Sequence, residues 1–174
     1  HVDCRFPVQS VIRPQSAEHP DYRGYAGRIA GGIYKTGDEV MVLPSGFSST
    51  IEGIDTYDGE VKEAFAPMSV TIRLSDELDI SRGDMIVRAN NKPEVGQDLD
   101  MMVCWLCERA LIPNGKYAIK HTTKDVRCII KEVIFKFDIN NLHRIEDDKE
   151  IRLNDIARIT VRTTAPLFYD SYRR

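Results

Sequence analysis

The sequence predicts an all-β protein built from two consecutive antiparallel β-barrels. Two observations carry this prediction: apolar and polar residues alternate along several segments, and turn sequences containing glycine separate those segments at short intervals. A period of two places one face of a strand in a core and the other in water. Because no window of ten or more residues keeps a helical period, a sheet connected by crossover helices is disfavoured.

The strand pattern is clearest in four segments. Cys4, Phe6 and Val8 alternate with polar residues near the start, and two further alternating segments contain Val70, Ile72 and Leu74, and Ile159 and Val161. The longest predicted strand covers residues 126–139 and is long enough to bend around a barrel. In it we expect Val133, Phe135, Phe137 and Ile139 on the buried face and Lys136 on the solvent face.

The turn sequences are of the kind that tight hairpins need. Asp58-Gly59 and Asn114-Gly115 supply the positive φ of such turns, and Gly37, Gly46 and Gly83 follow the same pattern. Residues 88–96 have neither alternation nor many β-branched residues. We therefore expect a first barrel over residues 1–90, a linker over 91–95 and a second barrel over 96–174.

Composition excludes several classes of protein. A charged fraction of 29% with a formal net charge of −3 gives no overall attraction to nucleic acid or to an anionic membrane. The longest apolar runs are too short to span a bilayer. Four cysteines are too sparse for a disulfide scaffold. We therefore expect a cytoplasmic protein with no membrane partner, and a nucleic-acid partner is disfavoured.

Several short motifs could indicate metal binding, nucleotide binding or catalysis, but the residues around them do not support these functions. Cys104 and Cys107 have C-x-x-C spacing, but a strand predicted over 99–108 would point them to opposite faces, so we expect free thiols and no zinc. The segment 91–94 resembles a guanine-reading motif without a phosphate loop upstream. Lys116, Lys120 and Lys124 are expected on a solvated strand face, and the acidic run 146–150 in a solvated turn.

No residue is assigned to catalysis, to cofactor binding or to a metal. A phosphate-binding loop of the form G-x-x-x-x-G-K-[ST] is absent from the sequence. The residues 23–27 are the candidate for contact with another domain or a partner. We expect Arg23 and Tyr25 to be exposed, and an exposed arginine beside an aromatic residue is typical of interface anchors. Gly24 and Gly27 permit close approach of another backbone. An ordinary barrel-rim turn is the alternative interpretation.

Several segments together resemble a known family. Residues 23–32 and 36–46 resemble the second domain of translational GTPases. Further matching segments, in order along the chain, are 6–9, 22–27, 42–46, 57–59, 63–66, 80–84, 116–123, 153–156 and 166–170. On these residues the sequence is similar to the GTP-hydrolysing regulatory subunit of bacterial sulfate adenylyltransferase (ATP sulfurylase), which also occurs fused to adenylylsulfate kinase.

The resemblance implies a function that barrels alone do not specify. It implies domains 2 and 3 of an elongation-factor-like GTPase, with GTP and Mg²⁺ bound by an N-terminal GTPase domain of the same chain. It also implies a smaller catalytic subunit as partner, which forms adenosine 5′-phosphosulfate and pyrophosphate from ATP and sulfate. This region would be non-catalytic alone, and its second barrel would lack the last strand. The alternatives are a tRNA-binding translation-factor module and a free-standing structural protein.

Overall fold

The computed structural model describes residues 3–14 and 21–171, and these residues form fourteen strands and no helix. The strands pair in the antiparallel sense. The chain divides into two compact units: the first comprises His1–Lys92 and Thr122–Lys124, and the second comprises Pro93–His121 and Asp125–Arg174. The predicted all-β antiparallel fold is confirmed.

The first unit contains nine of the described strands. They are β1 (Arg5–Ile12), β2 (Gly24–Arg28), β3 (Ile33–Lys35), β4 (Glu39–Leu43), β5 (Ser48–Thr56), β6 (Gly59–Val61), β7 (Glu63–Phe65), β8 (Ser69–Leu74) and β9 (Met85–Arg88). The main sheet has the order β4-β9-β1-β2-β8-β5-β6, and β4 also pairs with β5. This last pairing closes six strands into a barrel, while β3 and β7 form a separate ribbon.

The barrel core of the first unit follows the predicted alternation. Phe6, Val8 and Ile72 are fully buried, and Tyr34 and Ile54 pack into the same cluster. Four of the predicted turn glycines adopt a positive φ, for example Gly59 at 120°, whereas in the Asn114-Gly115 turn it is Asn114 that does so, at 60°. Period two therefore identified the core-facing residues of these strands, but Arg5 and Pro7 on the other face of β1 are buried as well.

The second unit contains the remaining five described strands. They are β10 (Glu94–Cys104), β11 (Lys116–His121), β12 (Lys124–Phe137), β13 (Arg144–Ile145) and β14 (Ile156–Tyr169). The sheet order is β10-β14-β12-β11, and β13 pairs with β12. Its core contains Ile130, Val133, Ile151, Ile159 and Val161.

The predicted faces of β12 are wrong at its far end. The register against β14 shifts between Ile130 and Glu132 and again between Val133 and Phe135. Each irregularity inserts an extra residue and interrupts the alternation. As a result Lys136, which we expected on the solvent face, is only 5% exposed, whereas Ile139 lies outside the strand and is exposed.

Two predicted boundaries around β10 also differ from the structure. The linker predicted over 91–95 overlaps this strand, because β10 begins at Glu94. The strand predicted over 99–108 ends at Cys104. Pairing of β10 with β14 extends from Glu94 to Cys104, and the backbone of Trp105 then pairs with the loop before β14.

Candidate partner-contact surface

A concave surface of about 440 Å³ opens beside the start of β2 in the first unit. We call it the rim cleft. It is lined by Asp21, Tyr22, Arg23, Tyr25, Glu52, Arg73, Leu74, Ser75, Asp76 and Glu77. Four carboxylates and two guanidinium groups therefore meet at one rim of the barrel.

Arg73 is the centre of an ion-pair network at the rim cleft. Its Nε donates to Asp55 Oδ2 at 2.9 Å and its Nη2 to Glu60 Oε1 at 3.0 Å, while Glu52 lies 3.7 Å from Nη1. Gly53 makes room for this side chain, since a Cβ there would lie 2.1 Å from Nη2. The charge of Arg73 is thus neutralised by carboxylates of β5 and β6. The hydrogen bond to Asp55 raises the pKa of Arg73.

Tyr22 extends the same network. Its hydroxyl donates to Asp55 Oδ2 at 2.9 Å. Burial, together with this hydrogen bond and the Asp55 charge, raises the pKa of Tyr22 to about 12. The phenol therefore stays protonated at physiological pH and fixes one wall of the cleft.

Arg23 differs from Arg73 because it has no comparable partner. It is half-buried and lines the cleft, but no carboxylate of residues 3–14 or 21–171 lies within ion-pair distance of it. A partly desolvated guanidinium without a fixed partner is a residue type that anchors protein interfaces. Of the predicted contact residues, Arg23 and Tyr25 line the cleft, and Arg23 is the one with a partly exposed side chain.

Tyr25 is a core residue, and the expectation that it is exposed is wrong. It is 1% exposed, and its hydroxyl donates to the carbonyl of Leu78 at 3.0 Å. Burial raises its pKa, while the nearby Arg23 charge lowers it and Glu77 raises it. The burial of Tyr25 could have been predicted from the sequence, because Tyr25 and Gly27 share one face of β2 and the apolar Ile29 continues the same alternation just after it.

Gly24 and Gly27 are required for close packing inside the first unit. A Cβ at Gly27 would lie 2.4 Å from the carbonyl oxygen of Pro7 on β1, and one at Gly24 would lie 2.3 Å from Thr71 on β8. The predicted close approach of another backbone therefore occurs at Gly27, and that backbone is β1. Both glycines position the rim and are themselves buried.

The geometry predicted for Cys104 and Cys107 is wrong, and no disulfide joins the four cysteines. Cys4 and Cys128 are buried, and Cys104 and Cys107 are exposed. Because β10 ends at Cys104, the two residues of the C-x-x-C pattern do not occupy opposite faces of one strand. Within the described part of the chain, no group of three or more His, Cys, Asp or Glu residues is arranged to hold a metal.

Asn91 of the guanine-like motif has a structural role. Its backbone and side-chain oxygens accept from Arg5 Nη1 at 2.6 and 2.8 Å, and its Nδ2 donates to Asp3 at 2.9 Å. Arg5 is buried and also donates to the carbonyl of Cys4. These bonds tie the end of the first unit to its first strand.

A buried charge cluster in the second unit was missed by sequence reasoning. Lys136 Nζ donates to Asp148 Oδ2 at 2.6 Å, to the Glu150 carbonyl at 2.9 Å and to Asp155 Oδ2 at 3.3 Å. We call this cluster the Lys136 clasp. Burial lowers the pKa of Lys136, but the hydrogen bonds to Asp148 and Asp155 outweigh it and the pKa is raised. The run 146–150, expected in a solvated turn, is thus partly anchored.

Comparison with known proteins defines the class of this fold. The family model described as GTP-eEF1A C-terminal domain-like matches residues 98–174. The structure of sup35 complexed with GDP aligns with a TM-score of 0.80 and 15% identity, over 95% of this chain and 40% of that chain. Translation elongation factor SelB from Methanococcus maripaludis, in its apo form, aligns with a TM-score of 0.74 and 20% identity, over 97% of this chain and 37% of that chain. The fold is that of the β-barrel domains of translation factors.

Relatives with higher sequence identity give a more specific indication of the kind of protein that this chain resembles. The bifunctional enzyme CysN/CysC of Mycobacterium tuberculosis is 48% identical over 99% of this chain and 28% of that protein. Sulfate adenylyltransferase subunit 1 is 41% identical in Bacteroides thetaiotaomicron and 38% in Alteromonas mediterranea, each over 99% of this chain and 36% of that protein. Over nearly its whole length the chain is similar in sequence to sulfate adenylyltransferase subunit 1 and CysN/CysC. It spans about a third of their length.

No helix of the described residues is long and apolar enough to cross a membrane.

Proposed function

We propose that this chain is the β-barrel region of a GTP-hydrolysing regulatory subunit of sulfate adenylyltransferase. The whole protein would act in the cytoplasm, where its GTPase domain would bind GTP and Mg²⁺ and a smaller catalytic subunit would form adenosine 5′-phosphosulfate from ATP and sulfate. The barrel region would carry no catalytic residue. It would transmit the nucleotide state of the GTPase domain to the catalytic subunit, as a rigid element that docks differently in two states.

The observation that carries the proposal is the identity of 38–48% to sulfate adenylyltransferase subunit 1 and CysN/CysC over 99% of this chain. Sequence identity to the translation-factor structures is 15–20%. These structures therefore support a common fold but give no argument for a common ligand. The proposal therefore follows the closer set of relatives.

The rim cleft supports a protein partner and disfavours a tRNA end. Its four carboxylates would repel a phosphodiester backbone, which basic surfaces attract. Of its two guanidinium groups, Arg73 is already neutralised by Asp55, Glu60 and Glu52. Arg23 is the group left to meet an incoming carboxylate or backbone carbonyl, so we assign it the contact that couples this barrel to its partner.

The test uses the full-length subunit together with its catalytic subunit. Formation of adenosine 5′-phosphosulfate is measured from ATP and sulfate, with and without GTP. We expect GTP to raise the rate, and Arg23→Ala to reduce that stimulation by about tenfold, as the loss of one interface anchor predicts. Formation in the absence of GTP should be unchanged, because Arg23 is remote from adenylyl transfer in this proposal.

The matched control is Arg13→Ala, which removes another exposed arginine of the first unit that does not line the cleft. It should retain full stimulation. If the wild-type complex forms no adenosine 5′-phosphosulfate, the assigned enzyme is wrong. If the complex is active and Arg23→Ala retains full GTP stimulation, the enzyme is right and the coupling surface lies elsewhere.

A further inference from the structure

A second concave surface, in the second unit, carries the opposite charge. It has a volume of about 500 Å³ and is lined by Lys116, Tyr117, Ala118, Arg127, Cys128, Ile129 and Thr164. These residues belong to β11, β12 and β14. We call it the basic groove.

The groove alternates positive charge with apolar surface. On β11 the outward residues are Lys116 and Ala118, and on β12 they are Arg127 and Ile129. Each strand therefore contributes one cation and one apolar side chain, and Ile129 is 38% exposed. Ala118 and Ile129 therefore add apolar surface between the cations of the groove.

The cations of this surface are not neutralised by the chain itself. Lys120 and Lys131 extend the charge of Lys116 and Arg127 along the same two strands, and all four are exposed. No ion pair joins any of them to a carboxylate of residues 3–14 or 21–171, although Asp125 and Glu132 lie on β12. By contrast, Arg158 and Arg162 on β14 pair with Asp100 and Asp98.

The predicted lysine stripe is corrected in one respect. Lys116 and Lys120 lie on β11 as expected, but Lys124 is the first residue of β12. The positive surface thus crosses two strands. It is wider than a single strand face, and this width allows a partner to contact both rows of charge at once.

We propose that the basic groove binds an extended acidic segment of a partner protein, in which carboxylate and apolar side chains alternate along the face turned to the groove. Strands lie about 4.8 Å apart, so the three strands under the groove span about 10 Å, the length of three to four extended residues. Successive side chains of an extended segment point to opposite faces, so two of these residues face the groove. One places a carboxylate on Lys116 or Arg127, and the other places an apolar side chain on Ala118 or Ile129. Complementary charge also speeds encounter with the partner.

The groove lacks the features that a nucleic acid needs. Bases stack on exposed aromatic rings, and the aromatic residue lining this groove is Tyr117. Its ring is half-buried and packs edge-on against Trp105 at 5.5 Å, and its hydroxyl accepts from the backbone N–H of Ile112 at 2.9 Å. The floor residue Cys128 is buried, and burial raises the pKa of its thiol. A protein segment is the partner that this chemistry fits.

The experiment measures fluorescence anisotropy of labelled peptides on the intact 174-residue chain. The probe, called the Glu-Val peptide, has eight residues, with Glu and Val in turn on one face of the extended chain and Ser at every second position (Glu-Ser-Val-Ser-Glu-Ser-Val-Ser). One comparison peptide has Ser in place of Val, and the other has Lys in place of Glu. We expect the Glu-Val peptide to bind, the other two to bind at least about tenfold more weakly, and added salt to weaken the complex. The double variant Lys116→Glu/Arg127→Glu should weaken binding of the Glu-Val peptide by at least about tenfold.

The matched control is Lys62→Glu/Lys92→Glu, which makes the same change in net charge at exposed lysines of the first unit. It should change the affinity by less than about twofold. If both double variants lost the same amount of affinity for the peptide, overall charge would explain the effect and the proposal would be overturned. So would an absence of binding to the wild-type chain, or tighter binding of single-stranded oligothymidylate than of the peptide. Thermal unfolding of each variant confirms that the fold is intact. The peptide-binding assay does not depend on GTP stimulation, so failure of this proposal can be distinguished from failure of the proposed function.

Discussion

Arg23 and Tyr25 lie two residues apart and have opposite environments. Arg23 lines the rim cleft, whereas Tyr25 is 1% exposed and packs in the barrel core with Phe6 and Ile72. Replacing both at once would therefore mix a surface effect with a core effect. Only single substitutions separate contact with a partner from stability.

Tyr25→Ala is expected to destabilise the first unit by about 3–5 kcal/mol, because it leaves a large cavity in a packed core. Tyr25→Phe keeps the ring and removes the hydrogen bond to the Leu78 carbonyl, so it should cost about 1 kcal/mol. Urea unfolding of the isolated chain, followed by intrinsic fluorescence and circular dichroism, measures both values.

Arg23→Ala is the control for this series and should change stability by less than about 0.5 kcal/mol, as for most surface substitutions. A Tyr25→Ala variant as stable as the wild type would contradict the burial of this ring. A strongly destabilised Arg23→Ala variant would mean that the arginine supports the fold.

The Lys136 clasp ties the segment between β12 and β14 to the end of β12. The Lys136 side chain is 6% exposed, while the side chains of Asp148 and Asp155 are 40% and 29% exposed. Removing the carboxylates would leave a buried positive charge without compensation, whereas removing Lys136 would leave carboxylates that water still solvates. Arg152, which contacts Asp148 and Glu150, adds two exposed ion pairs of small value.

The clasp predicts a specific dependence of stability on pH. The hydrogen bond from Lys136 lowers the pKa of Asp148, so its contribution is present above the unfolded value of about 3.9 and is lost as pH falls through the folded pKa. The raised pKa of Lys136 contributes below its unfolded value of about 10.4 and is lost as pH rises through the folded pKa. Lys136→Met should cost about 2 kcal/mol at neutral pH and flatten the acid side of the stability curve.

Urea midpoints measured from neutral to acidic pH test this expectation. Asp98→Asn is the control, because Asp98 pairs with Arg162 at an exposed site and its loss should leave the acid dependence nearly as steep as in the wild type. Parallel curves for the wild type and Lys136→Met would show that the clasp does not contribute to acid sensitivity.

The sequence predicts strands well where the alternation is uninterrupted. Val70, Ile72 and Leu74 are buried on one face of β8 as predicted. At the end of β12 two register irregularities bring Phe135 and Lys136 inward together, and nothing in the residue pattern marks where such an irregularity falls. Period two is therefore informative only within an uninterrupted ladder.

The rim cleft was only partly predictable for a related reason. The residues 23–27 were identified as a candidate contact from their own types, but Arg73, Asp55 and Glu60 meet through the pairing of β8 with β5 and of β5 with β6. Contacts between strands depend on register, which a single sequence does not specify. The charge of the cleft, and with it the argument against a tRNA end, needed the structure.

For the whole molecule, we expect the purified 174-residue chain not to bind GTP. The sequence has no phosphate-binding loop, and binding of a nucleoside triphosphate requires glycine-rich backbone N–H groups, a lysine and Mg²⁺ ligands. Isothermal titration calorimetry with GTP and Mg²⁺ measures this directly, with the full-length subunit as the positive control. Saturable binding of GTP to the short chain would contradict the assignment of nucleotide binding to another domain.

Pairing of β4 with β5 closes the first unit into a ring of six strands, β4-β9-β1-β2-β8-β5. In a ring each strand pairs with two neighbours, so detaching one strand requires breaking its hydrogen bonds to both of them. Hydrogen exchange of these six strands should therefore occur through one shared opening event. A surface carried by such a ring keeps its shape until the whole ring opens, and this rigidity suits the rim cleft to relaying a movement without absorbing it.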